Sequence, residues 1–208
     1  MIQTRVQRWA LLLIGLTCFG IGIACMVQSN LGLGPWDVLH QGIARQTGIP
    51  IGMVGILVGL PIMLAWWPLG ERPGWGTAIN IVLIGVVTDL VLAVLPPALN
   101  LTVAALLLIG GILLIGVGSG LYLSAEMGAG PRDGLMLAIA RRSGGSLRLV
   151  RTLIEVTALA AGWLLGGTVG IGTLAFAFGI GPVVQAALWA IPRASRAAAS
   201  RRVAEPNL

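Results

Sequence analysis

The chain has no lysine, one histidine, one tyrosine and two cysteines, and only 10% of its residues are charged. Each scarcity removes a class of function. Soluble domains carry about 25% charged residues, so this composition does not suit a water-facing surface. No phosphate-binding loop with its lysine is present, and no dinucleotide fingerprint. One histidine and two cysteines do not make a metal cluster, and no nucleophile motif accompanies them. The expectation is a chain without enzymatic activity, cofactor or metal. Cys18 and Cys25 both fall inside the first apolar stretch, where they read as small packing residues rather than a disulfide.

What the sequence has in quantity is apolar. Of its 208 residues 57% are hydrophobic, and the mean hydropathy is +0.96. A helix needs about 20 mostly apolar residues to cross a bilayer. Six windows meet that need: Trp9–Val27, Ile51–Trp67, Trp75–Leu95, Leu101–Leu123, Leu147–Leu165 and Ile171–Ile191. Glycine and proline separate them. Arg5 and Arg8 before an apolar run resemble a secretory leader, but that run matches an internal span, which a removable leader has no reason to do. The lipid bilayer is therefore the first partner expected.

The net charge of +6 does not point to nucleic acid, because the arginines flank the apolar windows instead of forming a domain of their own. Their placement sets an orientation. With Arg5 and Arg8 in the cytoplasm and six crossings, Arg72, Arg132, Arg141, Arg142, Arg148, Arg151 and the C-terminal four all fall inside, and only Arg45 falls outside. Both termini are expected in the cytoplasm.

The strongest pattern is a repeat. Leu31-Gly-Leu-Gly-Pro-Trp-Asp37 returns as Met127-Gly-Ala-Gly-Pro-Arg-Asp133, a shift of 133 − 37 = 96 residues. The shift holds without a gap, pairing Gly15 with Gly111, Gly22 with Gly118, Arg45 with Arg141 and Gly76-Thr77 with Gly172-Thr173. A period this long is a duplicated half-protein rather than a solenoid. Residues 1–98 form one copy, 99–192 the second, and 193–208 a basic, disordered tail. Each copy holds three spans and, after its first span, a short amphipathic or re-entrant helix (Pro35–Gln46 and Pro131–Arg142). Three crossings is an odd number, so the second copy enters from the opposite face. The expected fold is all-α: six transmembrane helices in two inverted three-helix repeats, an arrangement many transporters use.

Candidate residues follow from cost. Ionisable groups inside spans are expensive and mark function by default. Asp89 and Glu155 qualify, and neither has a charged partner in the other copy, where Gln185 and Gly59 stand. Glu155 also has a structural alternative, pairing with Arg151 one turn earlier. In the repeated motif, Gly32, Gly34, Pro35 and Gly128, Gly130, Pro131 form the bends or gates. Asp37 and Asp133 follow in the first helical turn, where the helix dipole favours an acid. They either bind substrate or simply stabilise the bend. His40, one turn beyond Asp37, offers a proton-holding pair with it. Arg45 and Arg141 anchor the short helices at the interface or steer an anion. Asn80, Gln185 and Tyr122 are polar groups in spans, and Asn30 and Glu126 precede the motifs. The first three line a cavity or bridge helices, and the last two face the same cavity. Trp66 sits near a span end and reads as interfacial, with Trp9, Trp67, Trp75, Trp163 and Trp189.

Gly-Leu-Gly-Pro-Trp-Asp-Val-Leu at 32–39, a short helix and then Gly48-Ile-Pro-Ile-Gly52 together resemble the YczE/YyaS/YitT group of bacterial integral membrane proteins, closest to its YczE-like branch. The resemblance covers most of the chain and implies a multi-pass inner-membrane protein. The second copy departs from the motif, with Arg132 at the place of Trp36 and Gly134 at that of Val38. The residues point first to a small secondary transporter or permease of a small molecule or ion. The alternative is a substrate-binding or regulatory membrane subunit acting with a partner. A homo-oligomer or a membrane partner is compatible with both.

Overall fold

The computed structural model describes residues 4–70, 74–128 and 130–190. The expected basic tail, 193–208, lies outside them. The described residues form eight α-helices and no strand: α1 Arg5–Ser29, α2 Pro35–Thr47, α3 Ile51–Leu64, α4 Trp75–Leu92, α5 Leu101–Ser124, α6 Pro131–Ser143, α7 Leu147–Leu164 and α8 Ile171–Ala190. Glycine and proline dictate the breaks. Both short helices, α2 and α6, begin with proline, whose missing N–H costs nothing in the first turn, and end at a glycine in the left-handed region. Each helix start in the first half returns 96 residues later in the second, as 35 and 131, 51 and 147, or 75 and 171 show.

Among the described residues five helical stretches are long and apolar enough to cross a membrane: Arg5–Ser29, Ile51–Leu69, Trp75–Leu92, Leu101–Ser124 and Ile171–Ala190. The remaining window, α7, has the length but carries Arg148, Arg151 and Glu155 within it. Large apolar side chains face outward on every one of the long helices, among them Ile14, Leu57, Leu90, Leu106 and Phe178. A soluble protein does not leave a surface of this kind in water. The chain is a polytopic membrane protein.

The centre is the pair α1 and α5. They run antiparallel, because Gly15 meets Gly118 and Gly22 meets Gly111. A Cβ on Gly15 would stand 2.7 Å from the Gly118 carbonyl oxygen, and one on Gly118 would stand 2.5 Å from that of Gly15. Only glycine permits helix backbones to approach so closely. Around this seam Leu12, Leu16, Ile23, Met26, Ile112 and Ile115 are buried.

A second pair of contacts has the same reciprocity. The Gly76 N–H donates to the Met127 carbonyl at 3.1 Å, and the Gly172 N–H donates to the Leu31 carbonyl at 2.8 Å. Each motif loop is thus tied to the first turn of a helix in the other half. Gly32 and Gly128 sit in these loops with φ of 122° and 132°, values that L side chains rarely adopt.

Candidate functional site

Leu31–Gly34 and the stretch before Pro131 bring the N-termini of α2 and α6 to one place. Between them lies a cavity of about 320 Å³, at the small end of the range for small-molecule sites. Its polar lining is Asp37 and His40 from α2, Asn80 and Thr88 from α4, Ser119 and Tyr122 from α5, Arg132 and Asp133 from α6, and Arg151 and Glu155 from α7. Phe19, Ile23, Ile84 and Phe176 supply apolar wall. The bends Gly34-Pro35 and Gly130-Pro131 both reach it. Of its lining Asp133 and Arg151 are exposed, while Asp37, His40 and Trp36 are buried.

The two motifs touch through the position where they differ. The Arg132 guanidinium lies 5.0 Å from the centre of the Trp36 ring and 3.5 Å from Asp37 Oδ1. It is at once a cation–π contact and an ion pair across the two halves. The separation from Asp37 exceeds that of a charge-assisted hydrogen bond, about 2.7–2.9 Å. His40 Nδ1 stands 3.8 Å from the same oxygen. Asp37 Oδ1 and Trp36 Nε1 are buried without a hydrogen-bond partner among the described residues. Burial pushes the Asp37 carboxyl above its ordinary range, with Arg132 pulling against it. Burial, then the same guanidinium, hold the His40 imidazole well below its ordinary value, so it is neutral near pH 7.

On the other side Tyr122 donates its hydroxyl to Asp133 Oδ2 at 3.4 Å, and Arg151 Nε donates to Glu155 Oε1 at 2.9 Å. The structural alternative weighed for Glu155 is therefore present, and Glu155 faces the cavity as well. Gly55 lies beside the His40 ring. The position that repeats Gly55 is Arg151, and the one that repeats Gly59 is Glu155. The same sites in the two halves are bare on α3 and charged on α7.

Other candidates sit elsewhere. Asp89 is not in the cavity wall. Its two oxygens accept from the backbone N–H groups of Gly52 at 2.7 Å and Met53 at 2.8 Å. It caps the first turn of α3, where the helix dipole favours its charge. Asn30 and Glu126 occupy left-handed positions, both with φ of 53°, where α1 and α5 end. They shape the loops and do not line the cavity. Gln185 is on the exposed side of α8. Arg45 donates to the Gly166 carbonyl and to Thr168 Oγ1 at 3.0 Å, and the Gln41 side chain accepts from the Thr168 N–H at 2.7 Å. The first short helix is thus laced to the loop before α8, and Arg45 serves as a tie. Arg141 is exposed on α6 and outside the cavity wall.

Two residues had been given other roles by the sequence. Trp66 is not interfacial. It is buried, its ring packs against Gly134, and its Nε1 donates to the Pro131 carbonyl at 3.0 Å. A valine like that at position 38 would clash with this indole, which accounts for Gly134. In the sequence Arg132 reads as an inside arginine and as a departure from the motif. That departure was itself the signal, since it is where one half completes the other. Among the described residues no group of His, Cys, Asp and Glu has the arrangement of a metal site.

Known proteins resemble this chain over most of its length. Residues 6–188 match DUF6198, a family of unknown function. An uncharacterized protein of Haemophilus influenzae is 44% identical over 85% of this chain and 81% of its own length. The uncharacterized membrane protein YczE of Bacillus subtilis is 35% identical over 90% of this chain and 88% of its own. The uncharacterized protein YyaS of the same organism is 30% identical over 77% and 82%. No solved structure matches. The chain belongs to the DUF6198, YczE-like family of membrane proteins.

Proposed function

We propose that this YczE-like chain is a small secondary transporter of the bacterial inner membrane, working as two inverted halves of three spans each, with both termini in the cytoplasm. The observation that carries the reading is the cavity that neither half encloses alone. Both motif bends, a buried Asp37–Arg132 pair and the neutral His40 meet there. The antiparallel packing of α1 against its own repeat α5 supports the inversion, as do the reciprocal bonds at Gly76 and Gly172. Transporters of this plan hold substrate where interrupted helices meet between the repeats. α7 completes the sixth crossing, its charged residues turned to the polar cavity and to the cytoplasmic edge, where arginine side chains extend to water.

In this reading the outer side is closed where Arg45, Gln41 and Gln46, on the C-terminal half of α2, are tied to the loop at 165–168, and the exposed Asp133 and Arg151 are on the cytoplasmic side. The test is a metabolite screen by thermal shift on the purified protein, since a ligand of the folded state raises its stability. Any hit is then carried into counterflow measurements in proteoliposomes. A ligand that binds and exchanges supports the reading, and purified protein that exchanges none of its ligands refutes it. The exposed arginines of the 141–151 stretch favour a second reading, a subunit docked on a cytoplasmic partner. A stoichiometric ATPase that copurifies would favour that one.

A further inference from the structure

Resting on the reading of this cavity as a substrate site, we propose that its ligand is a small organic cation, an ammonium or guanidinium. The Arg132 guanidinium is then a tethered competitor for the ligand's seat.

The seat is made by Asp37 and the face of Trp36. The Asp37 side chain is 6% exposed, and its Oδ1 has no hydrogen-bond partner among the described residues. A buried carboxylate oxygen left in this condition is costly, and a donor with positive charge is what removes the cost. The indole face beside it is the other half of a cation site. Arg132 already demonstrates the geometry, lying over the ring and beside the carboxylate. It does so loosely, at 3.5 Å and with its side chain 29% exposed. An ammonium free to approach closer than a tethered guanidinium would gain the short hydrogen bond to Oδ1 that Arg132, at 3.5 Å, does not make.

The charge balance agrees. Three carboxyl groups, Asp37, Asp133 and Glu155, face two guanidinium groups, Arg132 and Arg151, across the cavity, and a cation in the seat would hold Asp37 ionised against the burial that pushes its carboxyl upward. The N-termini of α2 and α6 also point here, and helix N-termini attract anions. Each, however, already carries its own acid in the first turn, Asp37 and Asp133.

The experiment measures binding of methylammonium, guanidinium and acetate to the full chain in nanodiscs by calorimetry. Wild type should bind at least one of the two cations. Removing the competitor with Arg132→Gln should tighten that binding about tenfold, because a seat occupied most of the time lowers apparent affinity by the occupied fraction. Asp37→Asn should abolish it, and Trp36→Leu should weaken it. Asp89→Ala, outside the cavity, should leave it unchanged. If Asp37→Asn does not fold, Arg132→Gln and Trp36→Leu decide the matter. Absence of cation binding in wild type overturns the assignment, as does cation binding that Arg132→Gln weakens or leaves alone. Acetate binding lost in Arg132→Gln would mark an anion site instead. Counterflow separates the two levels: cation binding without exchange sinks the transporter reading only, and exchange of an anion sinks the cation assignment only.

Discussion

Two acids of the first half illustrate how little an isolated charge says about its work. Asp37 and Asp89 are both carboxylates among apolar neighbours. One is aimed into a cavity with an oxygen unmatched, and the other is fully occupied by two backbone N–H groups. Asp89→Ala should therefore lower stability by roughly 1–2 kcal/mol, the range for a lost helix cap, with ligand affinity intact; thermal unfolding in detergent alongside calorimetry checks both. The sequence showed that Asp89 was expensive but not what it was spent on, because its partners lie 36 and 37 residues away. The rotation of α4 that aims it at α3 is set by packing, and periodicity in a helix that is apolar all round carries no information about facing. His40, Asn80, Tyr122, Asp133 and Glu155 line the cavity, while Asn30, Glu126 and Gln185 do not.

Helices were far more legible than their faces. The starts at Pro35, Ile51, Trp75, Leu101, Pro131, Leu147 and Ile171 follow from glycine and proline placed between apolar windows, signals local to a few residues. The α1–α5 crossing depends on glycines that the repeat had already paired, Gly15 with Gly111 and Gly22 with Gly118, but their contacts run the other way, Gly15 to Gly118. Gly15→Ala should cost about 1–3 kcal/mol through overpacking. Gly15→Ala and Gly118→Ala together should cost less than the sum, since either one already opens the shared seam. Denaturation of the purified single and double variants measures this. At the α2 end, Arg45→Ala removes the donor to Gly166 and Thr168. A cysteine introduced as Thr168→Cys, with Cys18 and Cys25 replaced by alanine, should then react faster with a water-soluble thiol reagent than it does with Arg45 in place.

For the molecule as a whole the decisive property is which way up each half stands. Thr47 and Ser143 are exposed, close the two short helices and are 143 − 47 = 96 residues apart. In the cysteine-free background, Thr47→Cys should be labelled by an impermeant reagent from outside the cell, and Ser143→Cys only after the membrane is opened. Labelling of both from the same side would remove the inversion on which the transporter reading stands.

The exchanged bonds at Gly76 and Gly172 bear on how the protein is made. Each half lends its bend to the other's helix, so a ribosome that has delivered only residues 1–98 has produced a piece with an unfinished edge, open to membrane proteases. Two messages, one for each half, should nonetheless suffice. The separate fragments would find each other in the bilayer and copurify, whereas either expressed alone would be degraded.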